Sequence, residues 1–151
     1  MSFQELYNKV VDIMRKPNGL LDDKLLQVCH LLRDNLDHYE WVGFYFHHPE
    51  KPELHLGPYA GEPTDHTVIP FGKGICGQVA VSNKNFVVPD VSLQDNYIAC
   101  NISVRSEIVV PIFKNGKNIG QIDIDSNIKD AFTELDERFL ESVTAEISRW
   151  L

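Results

Sequence analysis

The stretch S-E-I-V-V-P-I-F-K-N-G-K-N-I-G-Q-I-D-I-D, residues 106–125, decides how this chain folds. Two apolar runs flank Asn115-Gly116, a dipeptide that tolerates the positive φ angles of a tight hairpin turn. The pattern predicts strand, turn, strand. Along the second strand, alternation sends Asp123 and Asp125 to one face and Ile122 and Ile124 to the other. Folding the hairpin sets Glu107, near the start of the first strand, roughly opposite Asp123 to Asp125. Three carboxylates then share one small region beside apolar strands. Charge is costly there, so this is where chemistry is sought.

Working outward, Phe86–Val88 reads as a buried strand, and Gly72-Lys73-Gly74 opens a helix that holds Cys76, Val79 and Ala80. Further back, residues 41–46 (W-V-G-F-Y-F) form an aromatic strand. Residues 53–56 (E-L-H-L) are its hairpin partner, Gly57-Pro58 begins a loop, and Thr67–Ile69 is a short strand. Two amphipathic helices come first. One carries Phe3, Leu6, Tyr7, Val10, Val11 and Met14 on one face. The other is capped by Asp22 and presents Leu25, Leu26, Cys29, Leu32 and Leu36. A last helix over residues 130–151 faces inward with Phe132, Leu135, Phe139, Leu140, Val143, Ile147 and Trp150, with Thr133 and Asp136 as caps. Hairpins dominate, so the expected class is α+β: one domain over residues 1–151, a mainly antiparallel central sheet, and the N- and C-terminal helices packed on it.

Composition narrows the function. At 151 residues the chain is long enough for a real core. A net charge of −8 without any basic cluster argues against nucleic acid. No apolar run is long enough for a membrane span, and residues 1–5 lack an export pattern, so a cytoplasmic location is expected. Three cysteines in such a chain disfavour structural disulfides and give weight to a redox thiol.

Two uses of the acidic cluster stay open on the residues alone. Like charges held close raise at least one pKa. A protonated carboxyl then donates a proton while an ionised neighbour binds an ammonium group. Alternatively three carboxylates hold Mg²⁺ or Ca²⁺. Of the thiols, Cys29 reads as a small buried hydrophobe. Cys76, in the first turn of a helix, reads equally as a packed residue or as a stabilised thiolate. Cys100, in a polar loop, reads as functional. No zinc-type spacing links them, and neither a Walker nor a G-x-G-x-x-G loop is present.

Taken together, W-V-G-F-Y (41–45), L-G-P-Y-A-G (56–61), I-P-F-G-K-G-I-C-G (69–77), V-V-P-D-V (87–91), Y-I-A-C-N (97–101), S-E-I-V-V-P-I (106–112) and I-G-Q-I-D-I-D (119–125) resemble the free methionine-(R)-sulfoxide reductases, which are single-domain GAF proteins. The resemblance implies reduction of free methionine-R-sulfoxide to methionine. It implies Cys100 as the catalytic thiol and Cys76 as the resolving thiol. Glu107, Asp123 and Asp125 would hold the substrate amine and sulfoxide. Trp41 and Tyr45 would line the methyl pocket, and the backbone of Ile98 and Ala99 would meet the substrate carboxylate. No bound cofactor or metal is implied. Thioredoxin or a similar dithiol would recycle the disulfide, and dimerisation through the terminal helices would suit the family.

One departure stands out. Many members carry a third cysteine before I-P-F-G, within P-A-C. Here residues 63–66 read Pro-Thr-Asp-His, and either Asp65 or His66 takes the place, according to the direction of counting. Recycling then falls to Cys76 or to an external thiol. The expected site has two halves: an acidic hairpin from Glu107 to Asp125, and a redox pair from Cys76 to Cys100. The rival expectation is a non-catalytic GAF module that binds a small molecule or senses redox state.

Overall fold

The structure, a computed structural model, describes residues 1–97 and 103–151. Ile98, Ala99 and Cys100 lie outside the described residues, and so do the roles expected of them.

Helices α1 (Phe3–Met14) and α2 (Leu21–Asn35) come first. Ser2 caps α1, its hydroxyl accepting from the Glu5 N–H at 3.1 Å. Leu6, Val10 and Met14 are its buried stripe. In α2 the buried residues are Leu25, Val28, Cys29 and Leu32, while Leu26 is exposed. Asp22 does not cap α2. The helix begins at Leu21 after Leu20, which makes no side-chain cap bond, so Asp22 and Asp23 lie in the first turn, where their charge suits the helix dipole.

Strands β1 (Trp41–His47), β2 (Glu53–Ala60) and β3 (Val68–Pro70) follow, then α3 (Gly74–Ser82), β4 (Phe86–Val88), β5 (Ser106–Lys114), β6 (Lys117–Ser126) and α4 (Glu134–Ser148). Among the described residues, six strands form one sheet in the order β3-β2-β1-β6-β5-β4, antiparallel at every pairing. The β5–β6 turn is Asn115-Gly116, with φ of 54° and 78°.

Strand β2 runs through the Gly57-Pro58 expected to start a loop. The register against β1 shifts between Gly43 and Tyr45, so Gly57-Pro58 falls in a bulge, where a missing N–H is tolerated. Helix α4 starts at Glu134, not Asp130, because Thr133 and Asp136 form a capping box. Leu135 and Trp150, expected inside, are 70% and 44% exposed. Leu135 lies in the first turn of α4, and Trp150 lies two residues past its last turn.

The sheet has two unlike faces. One, with Val42, Phe44, Ile108, Val110, Ile122 and Ile124, packs under α1, α2 and α4 and forms the larger core. The other carries Trp41, Tyr45 and Val109 and packs on α3. Among the described residues no helix is long and apolar enough to cross a membrane.

Candidate active site

Strand register assembles the acids on the α3 face. Trp41 pairs with Asp125, and Asp125 with Glu107, so one row crosses β1, β6 and β5. One step along, Gly43 pairs with Asp123 and Asp123 with Val109. One further step sets Tyr45 against Gln121. All these side chains share a face by the period of two. Glu107, Asp123 and Asp125 are 4%, 1% and 1% exposed. Burying three carboxyl groups on one face is costly.

Helix α3 lowers Cys76 into this cluster. The Cys76 sulfur and one oxygen each of Glu107 and Asp123 lie within 4.8 Å of one another, and all three residues are buried. A cleft edged by Tyr45, His66, Ile69 and Lys73 opens onto them. The close seating depends on Gly77, where a β-carbon would come 2.6 Å from the Pro70 carbonyl oxygen. The acidic hairpin and Cys76, expected as parts of separate halves, are therefore one constellation. Alternation within a strand could reveal the acids, but only the packing of α3 on the sheet reveals this contact.

Burial pushes the Asp123 carboxyl above the ordinary carboxylate range, and Glu107 and Cys76 offset part of that rise. Neither reaches it in regular hydrogen-bond geometry: both Asp123 oxygens are buried without a partner among the described residues. The direction matches the sequence expectation of one raised carboxyl, but the cause is burial rather than repulsion between like charges.

Trp41 forms the wall beside the acids. Its indole lies flat over Gly43, where a β-carbon would sit 2.4 Å from a ring carbon. It stacks on Tyr59 at 5.4 Å between centroids and donates to the Glu62 carbonyl at 3.0 Å. Tyr45 donates its hydroxyl to the His66 carbonyl at 3.0 Å. Trp41 also borders a second cleft, lined by Arg33, Glu62, Val104 and Asp125. Trp41, Tyr45, Cys76, Glu107, Asp123 and Asp125 are thus all on one face.

Residues 20–151 match the GAF domain family. A free methionine-R-sulfoxide reductase of Saccharomyces cerevisiae is 36% identical over 143 residues, spanning 87% of this chain and 79% of its own. The reductase of Staphylococcus aureus superposes with a TM-score of 0.88 at 38% identity, over 98% of this chain and 94% of that one. The reductase of Neisseria meningitidis, solved in complex with its substrate, gives 0.90 at 32% identity, over 97% and 86%. This chain belongs to the GAF domain family, among the free methionine-R-sulfoxide reductases.

Two supports of this GAF site went unread in the sequence. Gln121 is fully buried and donates from Nε2 to the Cys76 carbonyl at 3.2 Å, which ties β6 to α3. Its place on the face of Asp123 and Asp125 was a readable signal. Asn96 accepts the Gly74 N–H at 3.0 Å and donates to the Gly72 carbonyl at 2.6 Å. It thereby caps α3 from a distant loop, since Lys73 at the N-cap position offers no side-chain bond. No local pattern encodes a cap that comes from more than twenty residues away.

Proposed function

We propose that this GAF protein reduces free methionine-R-sulfoxide to methionine, using a cysteine thiol as the reductant. The observation that carries the reading is the buried cluster of Glu107, Asp123 and Asp125 beside Trp41 and Cys76. Buried carboxyls that share one face fit a small cationic, hydrogen-bond-accepting ligand. The amine of a free amino acid supplies the cation, and a sulfoxide oxygen supplies the acceptor. The reductase relatives support the same assignment.

In the reaction, a protonated carboxyl of the cluster hydrogen-bonds the sulfoxide oxygen and makes the sulfur electrophilic. The ionised carboxylates hold the substrate ammonium. The Cys100 thiolate attacks sulfur, the oxygen passes to the cysteine, and methionine leaves with both sulfur electrons restored. Cys100 becomes a sulfenic acid. The Cys76 thiol condenses with it, forming a disulfide and releasing water. An external dithiol of the thioredoxin class then reduces that disulfide by exchange. Asn96, which is anchored on α3 and precedes Cys100 by four residues, supports the pairing of Cys76 with Cys100. Neither Asp65 nor His66, either of which takes the place of the family's third cysteine, brings a thiol, so recycling falls to Cys76 or to direct attack by an external thiol.

The test is incubation of purified protein with dithiothreitol and each epimer of free methionine sulfoxide. Methionine should form from the R epimer and not from the S epimer. Turnover of neither epimer would overturn the proposal.

A further inference from the structure

Cys76, Glu107 and Asp123 offer a thiol and two carboxyls whose donor atoms already lie within 4.8 Å of one another. Zinc takes sulfur at about 2.3 Å and carboxylate oxygen at about 2.0–2.2 Å, which sets tetrahedral donors roughly 3.5 Å apart. Side-chain shifts of about 1 Å close that difference. The Asp123 oxygens, in a residue 1% exposed, have no regular hydrogen bond among the described residues to give up. Once deprotonated on binding, a thiolate and two carboxylates bring three negative charges, which a divalent cation reduces to one. The thiol selects a borderline-soft ion over Mg²⁺ or Ca²⁺, which take all-oxygen shells. Three protein ligands leave the fourth position open to water.

We propose that the reduced protein binds one borderline-soft divalent cation, of the Zn²⁺ class, through Cys76, Glu107 and Asp123, and that this ion inhibits turnover. Binding releases the thiol proton and any carboxyl proton and needs no electron transfer. A zinc-held Cys76 sulfur cannot condense with a sulfenic acid, and a zinc-held Glu107 and Asp123 cannot hold substrate. The inhibition rests on the reductase reading; the binding does not. Formation of the disulfide removes the sulfur ligand, so binding is confined to the reduced state.

The experiment titrates full-length, reduced, metal-free protein with Zn²⁺ against a chromogenic chelator. Co²⁺ then serves as a spectroscopic probe. Wild type should bind one equivalent and show a sulfur-to-cobalt charge-transfer band. Cys76→Ser should lose the band and weaken zinc binding at least tenfold, because even outer-shell changes cost about 10- to 100-fold. Asp123→Asn should weaken it similarly, with circular dichroism confirming its fold, and Cys29→Ser should bind as wild type. Absence of a bound equivalent, or binding unchanged in both Cys76→Ser and Asp123→Asn, would overturn the inference. Loss on Cys100→Ser with Cys76→Ser unaffected would do the same. Reductase activity without zinc binding sinks only this inference; zinc binding without reductase activity sinks only the function.

Discussion

Asp123 sits where a carboxylate is least stable, 1% exposed and beside Glu107 and Cys76. Its pKa is raised by burial, so the folded state holds a proton that the unfolded chain has lost. Stability therefore falls as pH rises from the ordinary carboxylate value through the raised one. Asp123→Asn removes that ionisation. The variant should melt higher than wild type at neutral pH, with the gap narrowing in acid, while kcat/KM falls about 100-fold or more. Melting curves at several pH values together with turnover measure both. A variant that melts lower and keeps its rate would show that Asp123 is structural. Cys29 is the contrast. Burial pushes its thiol well up, away from the thiolate, and its sulfur donates to the Pro58 carbonyl at 3.5 Å from within the larger core. Its helical stripe already marked it as a packing residue.

Among the elements, β5, β6 and α3 build the site. The hairpin was legible because Asn115-Gly116 and strict alternation fix its register, and hence the row of Glu107 and Asp125. Strand β2 was cut short at Gly57-Pro58 because proline normally ends a strand, and nothing local announces the bulge that accommodates it. The contact of Cys76 with the acids was not legible, since it depends on where a separate helix lands. The cap from Asn96 makes that landing testable. Asn96→Ala leaves the Gly74 N–H without its acceptor and should cost about 1 kcal/mol. It should also slow thioredoxin-coupled cycling more than a single turnover, because α3 then holds Cys76 less firmly. Equal slowing of both would place Asn96 outside recycling.

At the scale of the molecule, the sheet separates two jobs. The face under α1, α2 and α4 holds the larger core, and the α3 face holds the site. The helical layer is tied by Arg15, which donates to Glu146 at 3.0 and 3.2 Å, and by Asp136 at the start of α4. Asp136 accepts from Tyr39 at 2.9 Å and from the Thr133 N–H at 2.9 Å, and it meets His38 at 2.7 Å. Burial works against its charge, but His38, Thr133 and Tyr39 together hold its pKa below the ordinary value. Its contribution is present above the unfolded carboxylate pKa and is lost as pH falls through the depressed one. Asp136→Asn should destabilise by about 2 kcal/mol at neutral pH, less in strong acid, with kcat unchanged per folded molecule. Thermal melts across pH, paired with turnover, check this. An unchanged acid limb would remove Asp136 from the set of groups that set acid stability.

The most direct measurement is a single turnover without any reductant. Pre-reduced protein, freed of dithiol, is mixed with excess free methionine-R-sulfoxide, and methionine and free thiol are counted. One methionine should form per chain, with two thiols lost as a disulfide. Cys76→Ser should still give one methionine but leave a trappable sulfenic acid, and Cys100→Ser should give none. Methionine formed in stoichiometric amount by Cys100→Ser would contradict the mechanism.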